Sequence, residues 1–342
     1  VVNQKEFRLY QALDTYSIPF EILQVVSFEI MDLVQYNRHG YLVYTVNGPK
    51  ALWIFRGPEK VLIGQSRLFA ICKERKMDGF LYPLPLNDGR MYGKLDDRTW
   101  FYLTDWPELQ PVSYRKDRDL QGMVHRVAQF RRMAMELELF PEIEKTEEKY
   151  HNFLDVMKNA IDNLQSFEML ANHRLRPTRF DELFLREYPF ILEKARQGYE
   201  LLAKSEYSKI LSESGCRLII YNLTRGNIHV DRQGIVYILH LKNCCYDMSI
   251  VDFAILLIKS GRFNQWSKLW FRQMWEWYQA YFAISFEEYE IIKALLHFPW
   301  NIYRLAERYY FNRTEWTVFR FLEKLDRQLA DKKFWLEFID TL

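Results

Sequence analysis

The chain is poor in cysteine, and none of its thiols is spaced for metal or disulfide work. Cys72, Cys216, Cys244 and Cys245 include no C-x-x-C pair, and the one adjacent pair makes a poor disulfide. That usage fits a reducing interior better than an oxidised secreted scaffold. A surplus of one charge is also missing: 47 lysines and arginines stand against 45 aspartates and glutamates. Without a global basic field, nucleic acid is not an expected partner. Long apolar runs are absent too. Phe253–Ile258, closed by Asp252 and Lys259, is far too short to span a bilayer. The opening residues, VVNQKEFRLYQALDTYSI, are amphipathic and charged and lack the apolar core of a signal peptide. No internal repeat, low-complexity linker or Gly-x-Ser-x-Gly elbow is present.

What is abundant is aromatic: 22 tyrosines, 25 phenylalanines and 10 tryptophans in 342 residues. The chain is long enough for one large domain or two lobes with a sizeable core, and these rings are expected mainly inside it. Helical spacing marks Asn3–Tyr16 through Phe7, Tyr10 and Leu13. The period then shortens. Glu21–Ile30, Leu33–Tyr36, Tyr41–Val46 and Ala51–Phe55 read as strands, separated by turns at Asn37–Gly40 and Asn47–Lys50. A helix over Glu59–Met77 and strands at Arg90–Lys94 and Trp100–Thr104 follow, and Asp105-Trp106-Pro107 breaks the pattern. Beyond it the chain is mostly helical: Asp119–Leu137, Glu144–Leu170, Arg179–Ser214, Asn264–Ile284, Phe286–His297 and two closing helices. The charge run Glu142–Lys149 reads as a solvated helix face, and the Trp-rich helix Gln265–Tyr281 as core with some rings available to a partner.

The most informative stretch is Arg217–Leu257. It parses as a strand (Leu218–Tyr221), a tight loop (Asn222–Gly226), a hairpin turned by Asp231-Arg232-Gln233-Gly234, and a helix opening near Ser249. Asn227 stands five residues after Asn222, and Asp252 five after Asp247. This order of elements and this spacing resemble the catalytic loop and metal segment of kinase-like phosphotransferases. The nearest resemblance is to the bacterial spore-coat kinase-like proteins, the coat protein S group, relatives of the aminoglycoside and choline kinases. Thr104-Asp105-Trp106 is similar to a Thr-Asp-Trp at that family's hinge. Tyr246-Asp247-Met248-Ser249-Ile250-Val251-Asp252-Phe253-Ala254 matches its post-metal segment except at Ser249, where proline is usual.

The resemblance implies an α+β, two-lobed protein-kinase-like fold. The β-rich N-lobe would cover residues 1–103, the hinge 104–110, and the helical C-lobe 111–342. It also implies four working parts, and the residues depart from each. The turn Tyr36-Asn37-Arg38-His39-Gly40 carries one glycine where a phosphate loop has several. Trp53 stands where the family places its phosphate-clamping lysine; an indole offers no charge. Lys50 and Arg56, three positions away, are weak substitutes. Asn222 replaces the catalytic aspartate and Ile220 the histidine before it; a carboxamide cannot act as a base near neutral pH. His240, followed by Leu241 and Lys242, stands where a carboxylate should meet magnesium, a hard ion that wants oxygen.

The expectation is therefore a catalytically inactive spore-coat protein that needs no cofactor or metal. It would begin in the mother-cell cytoplasm, end in the coat, and bind other coat proteins. Binding candidates are Asn227, Lys242, Thr104 and Asp105, with a bare anion as the expected ligand. Asp247 and Asp252 are expected to be structural, with Asp247 or Ser249 capping the next helix. The alternatives are an atypical small-molecule phosphotransferase and a non-catalytic nucleotide or sugar-phosphate sensor. A zinc site at His229, His240, Cys244 and Cys245 is disfavoured. If His229 pairs near Val236, His240 lies roughly 13 Å along the strand, and the thiols lack tetrahedral-site spacing.

Overall fold

The computed structural model describes residues 4–37, 40–137, 152–311 and 314–342. The Phe7 side chain, the middle of the 36–40 turn, the Glu142–Lys149 run and the start of the helix expected from Glu144 lie outside the described residues. The architecture is α+β, with two compact units. Unit 1 comprises Val1–Ser113 and Thr224–Asn243; unit 2 comprises Tyr114–Leu223 and Cys244–Leu342. The sequence boundary at residues 104–110 divides the chain by order alone. Contacts group the 224–243 hairpin with the first unit because that hairpin pairs with a strand there.

Unit 1 opens with α1 (Gln4–Thr15) and is built on an antiparallel sheet. Its strands are β1 (Ile30–Asn37), β2 (Gly40–Thr45), β3 (Lys50–Arg56), β4 (Gly93–Lys94) and β5 (Thr99–Asp105), in the order β1-β2-β3-β5-β4. Helix α2 (Glu59–Glu74) lies between β3 and β4 in the chain. A second sheet joins β6 (Gln110–Pro111) to β8 (Ile228–Val230) and β9 (Val236–Ile238), in the order β6-β8-β9. Alternation along β3 sorts side chains between two faces. Leu52 and Ile54 pack with Leu9, Leu13, Val43 and Phe101, whereas Ala51, Trp53 and Phe55 pack with Leu62, Leu81, Tyr102, Trp106 and Leu239. The strand expected over Glu21–Ile30 does not form. Phe20–Leu23 is a 3₁₀ turn after Pro19, and the strand begins only at Ile30. The hairpin register is shifted by one from expectation: His229 faces Tyr237, and Val230 faces Val236.

Unit 2 is helical. It contains α3 (Asp117–Met135), α4 (Phe153–Asn172), α5 (Arg179–Lys204), α6 (Tyr207–Ile210), α7 (Ile250–Gly261), α8 (Lys268–Gln279), α9 (Phe286–His297), α10 (Trp300–Tyr310), α11 (Val318–Ala330) and α12 (Lys332–Ile339). One short ribbon, β7 (Arg217–Ile219) with β10 (Cys245–Asp247), crosses it. Helix starts follow side-chain caps: Thr178 with Asp181, and Ser285 with Glu288, form reciprocal capping boxes. Two helices are shorter than their apolar spacing predicts. The helix expected over Arg179–Ser214 stops at Lys204, where Ser205 turns extended and bonds back to Leu202. The one expected from Asn264 begins at Lys268, because Gln265 and Trp266 have φ of 52° and 50° and Ser267 supplies the cap.

Candidate functional site

In unit 1 the face of the sheet carrying Trp53 is filled by the chain's own rings. Trp53 is 1% exposed. Its Nε1–H donates to Thr104 Oγ1 at 3.1 Å, and β3 pairs with β5 so that Trp53 lies opposite Tyr102. Its indole meets the His240 ring edge-on, with centroids 4.5 Å apart, and lies 6.0 Å from that of Trp106. Strand β2 makes room for it with Gly40; a Cβ there would fall 2.4 Å from the indole. Thr104 is thus committed to Trp53. Asp105 is exposed and pairs with Lys50, so the nearest lysine on β3 is also engaged.

His240 shares a 2.6 Å hydrogen bond with the Tyr102 hydroxyl through Nδ1. The neighbouring hairpin histidine, His229, bonds the Tyr36 hydroxyl. Burial, then the charge of Arg225, takes His229 down to about 4, so it is neutral at physiological pH. Asn227 is 1% exposed and holds His240 by both backbone groups: its Oδ1 accepts from His240 N at 2.9 Å and its Nδ2 donates to His240 O at 3.1 Å. Leu241 N donates to Gln65 Oε1 at 3.1 Å. Asn227→Ala removes two buried bonds and should cost about 1–3 kcal/mol. Faster hydrogen exchange at the His240 amide, with unit 2 unaffected, is the expected readout. Lys242 is half-buried, with Nζ 5.8 Å from the Phe55 ring, and burial holds its ammonium below the usual lysine range.

Ile220, Asn222, Asp247 and Asp252 belong to unit 2. Asp252, 3% exposed in the first turn of α7, accepts from Ile220 N at 2.7 Å and Tyr221 N at 2.8 Å. These bonds hold Tyr221 at φ 59°, and tight bonds from Asn222 N to Ile220 O and Leu223 N to Tyr221 O close the turn. Burial raises the Asp252 carboxyl to about 7, opposed by the two amide donors and helped by the charge of Asp247. Asp247 is fully buried; it accepts from the Tyr207 hydroxyl at 2.9 Å and from Met248 N at 2.7 Å, and the Tyr207 oxygen accepts from Phe153 N. Of the two expected caps, Ser249 does not act as one. Ser249 is already helical and has no capping bond, while Asp247 is turned to Tyr207.

Solved structures share this architecture, three of them as follows. An aminoglycoside phosphotransferase from Alicyclobacillus acidocaldarius superposes with a TM-score of 0.80 at 15% identity, over 95% of this chain and 95% of that one. A spectinomycin phosphotransferase bound to AMP gives 0.68 at 11%, over 90% and 92%. Amicoumacin kinase, in complex with AMP-PNP, Ca2+ and Ami, gives 0.61 at 12%, over 99% and 96%. The chain has the aminoglycoside phosphotransferase fold. At these identities the likeness concerns fold alone. No protein-family model matches the sequence, and no curated protein matches it.

Within this kinase-like fold the partners that sequence reading missed are Tyr36, Gln65, Tyr102 and Tyr207. Tyr36 and Tyr102 lie 193 and 138 residues from their histidines, so no local signal announces them. Among the described residues no group of three or more His, Cys, Asp or Glu could hold a metal ion, and no helix is long and apolar enough to cross a membrane.

Proposed function

We propose that this protein is a catalytically inactive kinase-like protein acting as a structural or binding component of the bacterial spore coat. The observation that carries the reading is the burial of Trp53 against Gly40, Thr104 and His240. In the phosphotransferases that this sequence resembles, a lysine at that place meets the nucleotide phosphates. Here an uncharged ring occupies it and is itself packed. The remaining residues suit a magnesium nucleotide no better. The would-be metal carboxylate is His240, bonded to Tyr102; Asn227 spends its carboxamide on the His240 backbone; Asn222 offers no base. Phosphoryl transfer depends on positioning and charge compensation, and neither is provided.

Binding would then be to other coat proteins, and the protein would pass from the mother-cell cytoplasm to the coat. A bare anion beside Lys242 is the small ligand this reading favours, since burial with no carboxylate paired to it among the described residues leaves that ammonium short of negative charge. The deciding test is thermal melting with millimolar MgATP. A ligand at a hundred times its dissociation constant adds about 2.7 kcal/mol, and essentially no shift is expected. Saturable stabilisation that requires magnesium would overturn the reading. The coat assignment is checked separately, by locating a fluorescent fusion in sporulating cells.

A further inference from the structure

A pocket of about 740 Å³ opens in unit 2 where the turn after α7 meets α8 and α11. Arg115, Arg262 and Arg327 line it, and among its described lining residues the one carboxylate is Asp331. Two of these guanidiniums keep loose partners. Arg262 stands 3.8 Å from Asp331, and Arg327 pairs with Glu323 where both side chains are open to water. Pairs so stretched or so exposed contribute little, and an incoming anion can compete for their cations. The Arg262 guanidinium lies 5.1 Å from the ring of Phe263, which also lines the pocket. With Leu269, 66% exposed, Phe263 gives the pocket an apolar side.

Trp270, on α8, lines the same pocket. It is 4% exposed, with ring centroids 6.0 Å from Trp266 and 6.1 Å from Phe338, yet its indole N–H has no acceptor among the described residues. Trp53, Trp100, Trp300 and Trp335 are buried likewise, and each gives its N–H to an oxygen. An indole can only donate, and a buried donor without an acceptor loses its hydration for no return. Trp270 is therefore the exception, and it stands at a pocket whose lining charges are mainly positive.

We propose that this pocket binds an organic oxyanion, a carboxylate or phosphate monoester carried on a small apolar group. The arginines meet its oxygens with their planar forks, Trp270 gives its N–H to one of them, and Phe263 and Leu269 pack the apolar group. A pocket of this size, with an apolar side and a few polar groups that fix orientation, has the make-up of a small-molecule site. Its lining residues all belong to unit 2, so it stands or falls apart from the reading of Trp53 and of Lys242.

The test is calorimetric titration of the full chain with phenyl phosphate, benzoate and neutral benzyl alcohol at constant ionic strength. One saturable site is expected for the anions, the tighter of the two naming the head group, and none for the alcohol. Replacing both Arg262→Gln and Arg327→Gln should weaken it about tenfold or more, as expected for lost bonds to charged groups. In a proton–nitrogen correlation spectrum the Trp270 indole signal, assigned by its loss in Trp270→Phe, should move downfield as the anion saturates. Trp270→Phe keeps a ring and should weaken binding; circular dichroism checks its fold. If that variant does not fold, the arginine pair, at half-buried and exposed positions, decides alone. Binding should be unchanged in Arg272→Ala, which removes an exposed arginine on α8, and in Lys242→Ala. Absence of saturable binding, equal binding of benzyl alcohol, indifference to the arginine pair, a Trp270 signal that stays in place, or loss in Lys242→Ala would overturn the proposal.

Discussion

Asp252→Ala should lower the stability of unit 2 by about 3 kcal/mol, the size expected when a buried, hydrogen-bonded carboxylate is removed. The carboxyl group accepts from two successive backbone amides, Ile220 and Tyr221, in a turn where Tyr221 has φ 59°. Without it those donors lose their acceptor inside the unit, and a left-handed tyrosine loses what holds it there. Urea unfolding followed by unit 2 tryptophan fluorescence would measure the loss. An unchanged midpoint would remove the bracing role. The same residue fixes a direction for pH. Unfolded, an aspartate ionises near about 3.9; folded, Asp252 keeps its proton to about 7. Between those values the native state binds more protons, so this contribution is full below the lower value and is lost as pH rises through the upper one. Asp252→Asn should flatten that part of the profile. An equally steep slope in the variant would show that another group titrates there.

How much of this was legible before the structure varied with the range of the interaction. Element order was readable because it rests on local period and punctuation: the sheet of unit 1, the hairpin over Asp231–Gly234 and the helix after Ser249 all have signals within a few residues. Trp53, Asn222 and His240 could be named through the resemblance to the phosphotransferase pattern, as expected departures from it. Their surroundings could not. Nothing near His240 in sequence points to Tyr102, and nothing near Asp247 points to Tyr207. Boundaries failed where backbone outweighed pattern. Gln265 and Trp266 sit at positive φ inside what reads as a helix, and Phe20–Leu23 winds into a 3₁₀ turn after Pro19 inside what reads as a strand.

Trp53→Ala should destabilise unit 1 by about 3–5 kcal/mol, the range for removing a large buried aromatic side chain. Trp53 is among the largest fully buried side chains, and its removal takes packing from His240 and Trp106 and the donor from Thr104. Trp53→Phe keeps a ring and loses the bond to Thr104, so about 1 kcal/mol of the effect should belong to that bond, together with the smaller ring. Gly40 gives an internal check. Gly40→Ala alone would drive a methyl into the indole and should destabilise, because the Cβ falls 2.4 Å from it. Combined with Trp53→Ala, it should cost much less than the two single changes added, since contacting residues are coupled. Additive costs would mean the indole does not occupy the space over β2. Trp53→Lys then separates stability from function. It restores the residue type that clamps phosphate in the resembling kinases, yet His240 and Asn222 remain. The variant should therefore be less stable and still show no magnesium-dependent melting shift with ATP. If it gains one, Trp53 alone closes the nucleotide site, and the departures at His240 and Asn222 matter only for catalysis.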